Sequence, residues 1–178
     1  MPSREARFVV NAPPQALWAF LRDFRALCTC VPGVERIEVL DHRSAELTVR
    51  EKVGVVPLVV DLKASIESEE PPRRLHATAR AEHLAMTIDV ALRDAGAATE
   101  LTTRFDVTGK GPLKAVVDRL FEKRATERTA QFAECLARRF AGGSGGEAPA
   151  PLRGGRPRLW QRLRLWLGRR RRRPTSPS

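Results

Sequence analysis

Residues 101–121 read LTTRFDVTGKGPLKAVVDRLF, and the change of period inside this stretch decides the fold. Leu101, Thr103, Phe105 and Val107 alternate with Thr102, Arg104 and Asp106, the period of a strand with one apolar face. Gly109-Lys110-Gly111-Pro112 breaks that run. Beyond it Leu113, Val117, Phe121, Ala125, Phe132, Leu136 and Phe140 mark one stripe of a helix over about 113–140. Such a helix is long enough to cross a whole sheet at 1.5 Å per residue.

Upstream, the period of two persists from about residue 34. Leu47, Val49, Glu51 and Val53 form one series. Leu58, Val60, Leu62, Ala64 and Ile66 form the next. Leu75, Ala77, Ala79 and Ala81, and then Leu84, Met86, Ile88, Val90 and Leu92, complete the set. Turn signals at 41–44, 54–57, 70–73 and 94–98 separate them, as in an antiparallel meander with one apolar and one wet face. Residues 4–11 read as a first strand. Pro13 or Pro14 then opens a short helix near 14–23, and a second short helix is expected from Arg25 to Cys30. The expected order is strand, two short helices, six-strand meander, long helix. This is an α+β helix-grip domain over 1–141, a curved antiparallel sheet of about seven strands wrapped around one helix. A single apolar sheet face needs a cover, and a curved sheet gripping one helix leaves an elongated cavity for something apolar.

Charge divides the chain. Residues 142–178 hold ten arginines and one acid, giving +9 of the formal +11, so residues 1–141 carry only +2. A nearly neutral domain argues against nucleic acid as its partner. Residues 142–157 are a Gly/Pro/Ala linker, flexible by composition, and 174–178 a disordered end. Between them, 157–173 read PRLWQRLRLWLGRRRRR. Trp160, Leu163, Trp166 and Leu167 recur at helical spacing, with Arg162 beside them and Arg169, Arg170, Arg171, Arg172 and Arg173 following. Over 158–173 this is a basic amphipathic helix whose indoles suit a headgroup boundary and whose guanidiniums suit an anionic membrane surface. The N-terminus lacks a signal-peptide pattern, and no run of about 20 apolar residues is present, so the expected location is cytoplasmic, peripheral on the inner face of the membrane.

For chemistry, the residues offer little. Cys28, Cys30 and Cys135 are an odd count without secretion and read as reduced thiols. Cys28-Thr29-Cys30 lacks a second pair with ligand spacing, so no metal site is expected. His42 and His76 fall in a turn and on a wet face, and His83 at a strand junction. No nucleophile with a base and no phosphate loop is visible, so no catalytic residue is assigned and the chain reads as a non-enzyme. Glu51 is the one clear acid on an inward face, read as lying at the open rim. Arg124 and Arg128 lie near the helix stripe; either could pair with Glu51 or face a ligand carbonyl, and solvent is the expectation taken. The candidate ligand pocket comprises Trp18, Leu47, Val49, Glu51, Leu58, Val60, Leu62, Met86, Ile88, Val90, Leu101, Phe105, Leu113, Val117 and Phe121.

Several motifs carry a resemblance. Ala12-Pro13-Pro14-Gln15-Ala16-Leu17-Trp18, Leu21-Arg22-Asp23, Val31-Pro32-Gly33-Val34-Glu35, Val53-Gly54 and Thr108-Gly109-Lys110-Gly111-Pro112-Leu113 together resemble the CoxG family of carbon monoxide dehydrogenase subunits. That family lies within the START-like (SRPBCC) helix-grip superfamily, and the resemblance covers about residues 5–140. It implies an accessory of a molybdenum hydroxylase of the carbon monoxide dehydrogenase type. Such an accessory is associated with anchoring the enzyme at the membrane and with handling a hydrophobic quinone, a small-molecule ligand rather than a covalent cofactor. The wider superfamily includes cyclases, which leaves an enzyme using Glu51 or His83, or a ligand-free adaptor, as alternatives.

Overall fold

Seven antiparallel strands form one sheet in the order β1-β7-β6-β5-β4-β3-β2. The computed structural model describes residues 2–53 and 55–142, with the side chains of Val53 and Val56 left aside. The elements are β1 (Ser3–Val10), α1 (Pro14–Arg22), α2 (Phe24–Cys28), β2 (Val34–Val39), β3 (Ser44–Val53) and β4 (Val56–Glu70). They continue with β5 (Arg74–Ala81), β6 (Leu84–Asp94), β7 (Thr99–Gly109), a 3-10 turn (Gly111–Leu113) and α3 (Lys114–Arg139). The two short helices, the meander and the long helix stand where the periods place them.

Local chemistry explains the joints. Pro14 opens α1, where a missing N–H costs nothing. Asp23 ends α1 and caps α2, its carboxylate accepting from the backbone N–H groups of Arg25 at 2.9 Å and Ala26 at 3.1 Å. The buried Thr99 hydroxyl donates to the Ala12 carbonyl at 2.7 Å, fixing the start of β7 to the loop after β1.

Register puts one side-chain series on the inner face. Phe8 pairs with Leu101, Leu92 with Leu101, Met86 with Val107, Ala79 with Met86, Ala64 with Ala79 and Leu47 with Leu62. Period-two side chains stay on one face across paired strands, so these series form a single surface. One departure interrupts them: a register shift between Ile66 and Ser68 brings Glu69, rather than Ser68, opposite Leu75.

The closed core lies at one end of this surface. Val10, Leu17, Phe20, Leu21, Leu92, Leu101 and Leu136 are buried together, with Phe8, Trp18, Phe132 and Phe140 packed against them. Phe8 meets Phe132 edge-on at 6.1 Å and Phe20 meets Phe140 at 5.8 Å. Leu136, in the next-to-last turn of α3, is the only residue of that helix to be fully buried.

The cysteines correct the expectation of reduced thiols. Cys30 and Cys135 form a disulfide with a Cα–Cα separation of 5.5 Å, and Cys28 is the free, buried one. Packing α1, α2 and the end of α3 over the same sheet edge brings together residues 105 apart in sequence. An odd cysteine count carries no information about that distance.

The entry to α3 depends on Gly109. A Cβ there would lie 2.7 Å from the Leu113 carbonyl oxygen and 2.9 Å from Val117 Cγ2. Gly109→Ala should therefore cost about 1–3 kcal/mol. Urea unfolding with a midpoint equal to that of the wild type would contradict this.

Candidate functional site

Away from the closed end, the inner face of the sheet and the first half of α3 oppose each other without closing. Leu47, Val49, Leu58, Val60, Met86, Ile88, Val90 and Phe105 are only half-buried, and so are Leu113, Val117 and Phe121 across from them. The helix lies closest to β7 and β1, leaving the β3–β6 part of the face uncovered. Two apolar walls that could bury each other, yet stay open, leave solvent on surface that water solvates poorly. The sequence predicts an elongated cavity; the structure shows an open trough.

Its floor explains its depth. β5 is the central strand, and its inner series after Leu75 is Ala77, Ala79 and Ala81. Ala79 stands between Ala64 and Met86. Ala77, between Ile66 and Ile88, is only half-buried, so a larger residue would fill open space there, whereas Ala79 is enclosed. Sequence reasoning reads these alanines as strand alternation and does not place them in the pocket. Their signal is side-chain size at a central position, which needs the strand order to be read.

Not every predicted lining residue opens on the trough. Leu101 belongs to the closed core at 1 % exposure, Leu62 is buried at 8 %, and Trp18 packs on the core from α1. The predicted membrane-docking residues Trp160, Arg162, Leu163, Trp166, Leu167 and Arg169–Arg173 lie outside the described residues.

Glu51 crosses the trough. It shares the inner series of β3 with Leu47 and Val49, and its carboxylate accepts from Arg128 Nη2 at 2.6 Å and Nε at 3.1 Å. Arg124 Nε lies 3.6 Å from its other oxygen, and Arg124 also donates to the Lys52 carbonyl and to Glu127. The arginines expected in solvent thus bind β3 to α3. Pairing with Glu51 is the alternative that the structure favours over solvent for both. The pair holds an arm, because β4 pairs with β5 only from Lys63 onward and the strand ends 51–53 and 56–58 pair only with each other. At the root of this arm Gly33 adopts φ +85°, and a Cβ there would lie 2.7 Å from the Arg50 carbonyl oxygen.

Removing the carboxylate takes the charged acceptor from Arg128, which keeps only Gln131, and leaves Arg124 with the Lys52 carbonyl and Glu127. Glu51→Ala should therefore cost about 1–3 kcal/mol and speed amide exchange in residues 48–60 more than elsewhere. Exchange in the arm no faster than in the wild type would show that the pair does not hold it.

The other acid-base candidates stay apart from this cluster. His83 sits in the β5–β6 turn beside Gly111, 3.6 Å from Glu82. On the outer face, His76 Nδ1 lies 2.6 Å from Asp89 and lines a charged concavity of about 500 Å³ with Arg74, Arg104 and Glu70. The charges of that hollow satisfy one another as on a surface ladder, His76 with Asp89 across strands and Arg104 with Asp106 along one. The trough is the better candidate because its apolar surface has no partner. Among the described residues no group of three or more His, Cys, Asp or Glu could hold a metal, and no helix is long and apolar enough to cross a membrane.

The model of one family, the CoxG subunits of carbon monoxide dehydrogenase, matches residues 7–141. The chain belongs to the CoxG family. Membership associates it, at a coarse level, with carbon monoxide dehydrogenase as an accessory of START-like fold. Solved structures agree on that fold. A conserved protein from Geobacillus kaustophilus is 15 % identical with a TM-score of 0.68, over 79 % of this chain and 95 % of its own. A START superfamily protein from Mycobacterium smegmatis is 14 % identical with a TM-score of 0.64, over 77 % and 97 %. The ZhuI aromatase/cyclase from Streptomyces sp. R1128 is 15 % identical with a TM-score of 0.56, over 82 % and 99 %. No curated sequence matches the chain.

Proposed function

We propose that this protein carries a hydrophobic small molecule, a quinone, between the bilayer and a molybdenum hydroxylase of the carbon monoxide dehydrogenase type, without catalysing a reaction itself. The observation that carries the proposal is the open trough, with half-buried apolar side chains on both walls and alanines along its central floor. A lipophile laid there would remove both walls from water at about 25 cal/mol per Å² of apolar area. The Glu51–Arg128 pair at the arm supplies guanidinium donors within reach of a polar head such as a quinone carbonyl. Membership of the CoxG family supports the choice of partner enzyme. The composition of 158–173, with two tryptophans among arginines, supports docking at the anionic inner face of the cell membrane.

Mass spectrometry of organic extracts tests carriage directly. The full chain, purified gently from native membranes, should yield a stoichiometric lipophile in the quinone mass range. An extract with no lipophile above a control protein purified alongside would refute it. Docking is read separately by co-sedimentation with vesicles containing phosphatidylglycerol. Changing Arg169–Arg173 to Ser should abolish it, and retained binding would end the tail's assigned role.

A further inference from the structure

The tip of the β3–β4 arm carries an apolar residue that nothing in the fold explains. Val55 is 99 % exposed, Pro57 beside it is exposed, and Val59 on the outer face of β4 is 49 % exposed. Most surface hydrophobics rest part of their side chain on a neighbour. Val55 rests on none, at the end of a two-stranded projection. Lys52, also exposed, precedes the tip. On the trough side of the same arm are Glu51 and Leu58, the last described inner-face pair before the turn. The tip therefore lies two cross-strand steps beyond the point where Arg124 and Arg128 hold the arm to α3.

We propose that this tip enters the surface of an anionic bilayer, with Val55 and Pro57 at the boundary between headgroups and acyl chains and Lys52 at the phosphates. This sets the mouth of the trough against lipid. The inference deepens the carrier reading and rests on it. Lipid fits the tip better than a protein does, for two reasons. A single unsupported side chain on a narrow turn needs a fluid apolar medium rather than a pocket cut to its shape. The cation beside it complements anionic headgroups. Adjacency of tip and mouth also gives a ligand leaving the bilayer a path that stays on apolar surface.

The test places an environment-sensitive nitrobenzoxadiazole label on the full chain at Val55→Cys, with Ala97→Cys as control. Ala97 is exposed in the β6–β7 turn at the opposite end of the sheet. With Cys28 buried and Cys30 bonded to Cys135, labelling under non-reducing conditions is confined to the introduced thiol. On adding phosphatidylcholine/phosphatidylglycerol vesicles, the label at 55 should shift to the blue and brighten at least twofold, and the label at 97 should not change. An unchanged label at 55, or an equal response at 97, overturns the proposal. Co-sedimentation of the same samples shows whether tail docking has failed as well. A response at 55 to a purified partner enzyme but not to vesicles likewise overturns it, in favour of a protein contact. Val55→Asp, at a position with no packing to lose, should slow uptake of decylubiquinone from vesicles at least fivefold. Its uptake from dilute ethanol should stay unchanged, and an equal loss in both assays counts against the proposal.

Discussion

Replacing Cys135 with Ser should lower the stability of the domain by about 2–4 kcal/mol, or roughly 10 °C in melting temperature for a domain of this size. The bond joins Cys30, just after α2, to Cys135 near the end of α3, across 105 residues. In the chain-entropy picture that long loop is what the unfolded state loses. Its position adds a local effect. Cys30 is 4 % exposed inside the cluster of Leu17, Phe20 and Leu136, so the bridge holds the last turns of α3 on the closed core. The thiol count checks the pairing independently. Denatured without reductant, the oxidised chain should show one titratable thiol, and with reductant three. In the native state that one thiol, Cys28, should react slowly, because burial first, and then the Asp23 carboxylate, push it up to about 11. Three thiols without reductant, or an unchanged melting temperature for Cys135→Ser, would remove the bond from the account. The count also reads location: chains acid-quenched directly from cells would show three thiols if they work in a reducing compartment.

The missed disulfide illustrates where sequence reading stops. The alternation of Leu84, Met86, Ile88, Val90 and Leu92 reports a face, because the pleat forces period two on any strand with one wet side. The stripe from Leu113 to Phe140 reports a helix for the equivalent reason. Both are local, and both stand as read. Contacts between elements are not local. Nothing in the spacing of Cys30 and Cys135 encodes a 5.5 Å approach. Arg128 reads as solvent-facing with Glu51 as an alternative partner, because a helical projection cannot decide whether a strand comes within reach of the guanidinium. Leu101 and Met86 look alike in sequence, each an inward residue of a strand. One is in the closed core and the other in the trough only because α1 and α2 cover one end of the sheet. The alanines of β5 carry no hydrophobic signal. Their meaning is the volume they leave out, which becomes visible once β5 is known to be the central strand.

That missing volume yields the prediction with the largest functional effect. Ala77→Phe should reduce loading of decylubiquinone at least tenfold while leaving the fold as stable as the wild type or more so. Ala77 is half-buried on the trough floor, and its cross-strand neighbours are Ile66 and Ile88. A phenyl ring there lies against two branched side chains, Ile66 and Ile88, and occupies the space a lipophile would take. Burying a ring of that size contributes about 1.5–3 kcal/mol, provided the site is open rather than packed. Ala79, one step along the same face, supplies the contrast. It is 3 % exposed, already enclosed by Ala64 and Met86, so Ala79→Phe overpacks a filled site and should cost about 1–3 kcal/mol. The two substitutions add the same atoms to adjacent inner positions of one strand, so opposite signs in the melting temperature would locate the empty space between them. A carrier should lose loading with Ala77→Phe and gain stability in the same protein, because the ligand and the ring compete for one surface. An adaptor that carries nothing would gain the stability and lose no partner binding. Unimpaired loading with Ala77→Phe would move the ligand off this floor altogether.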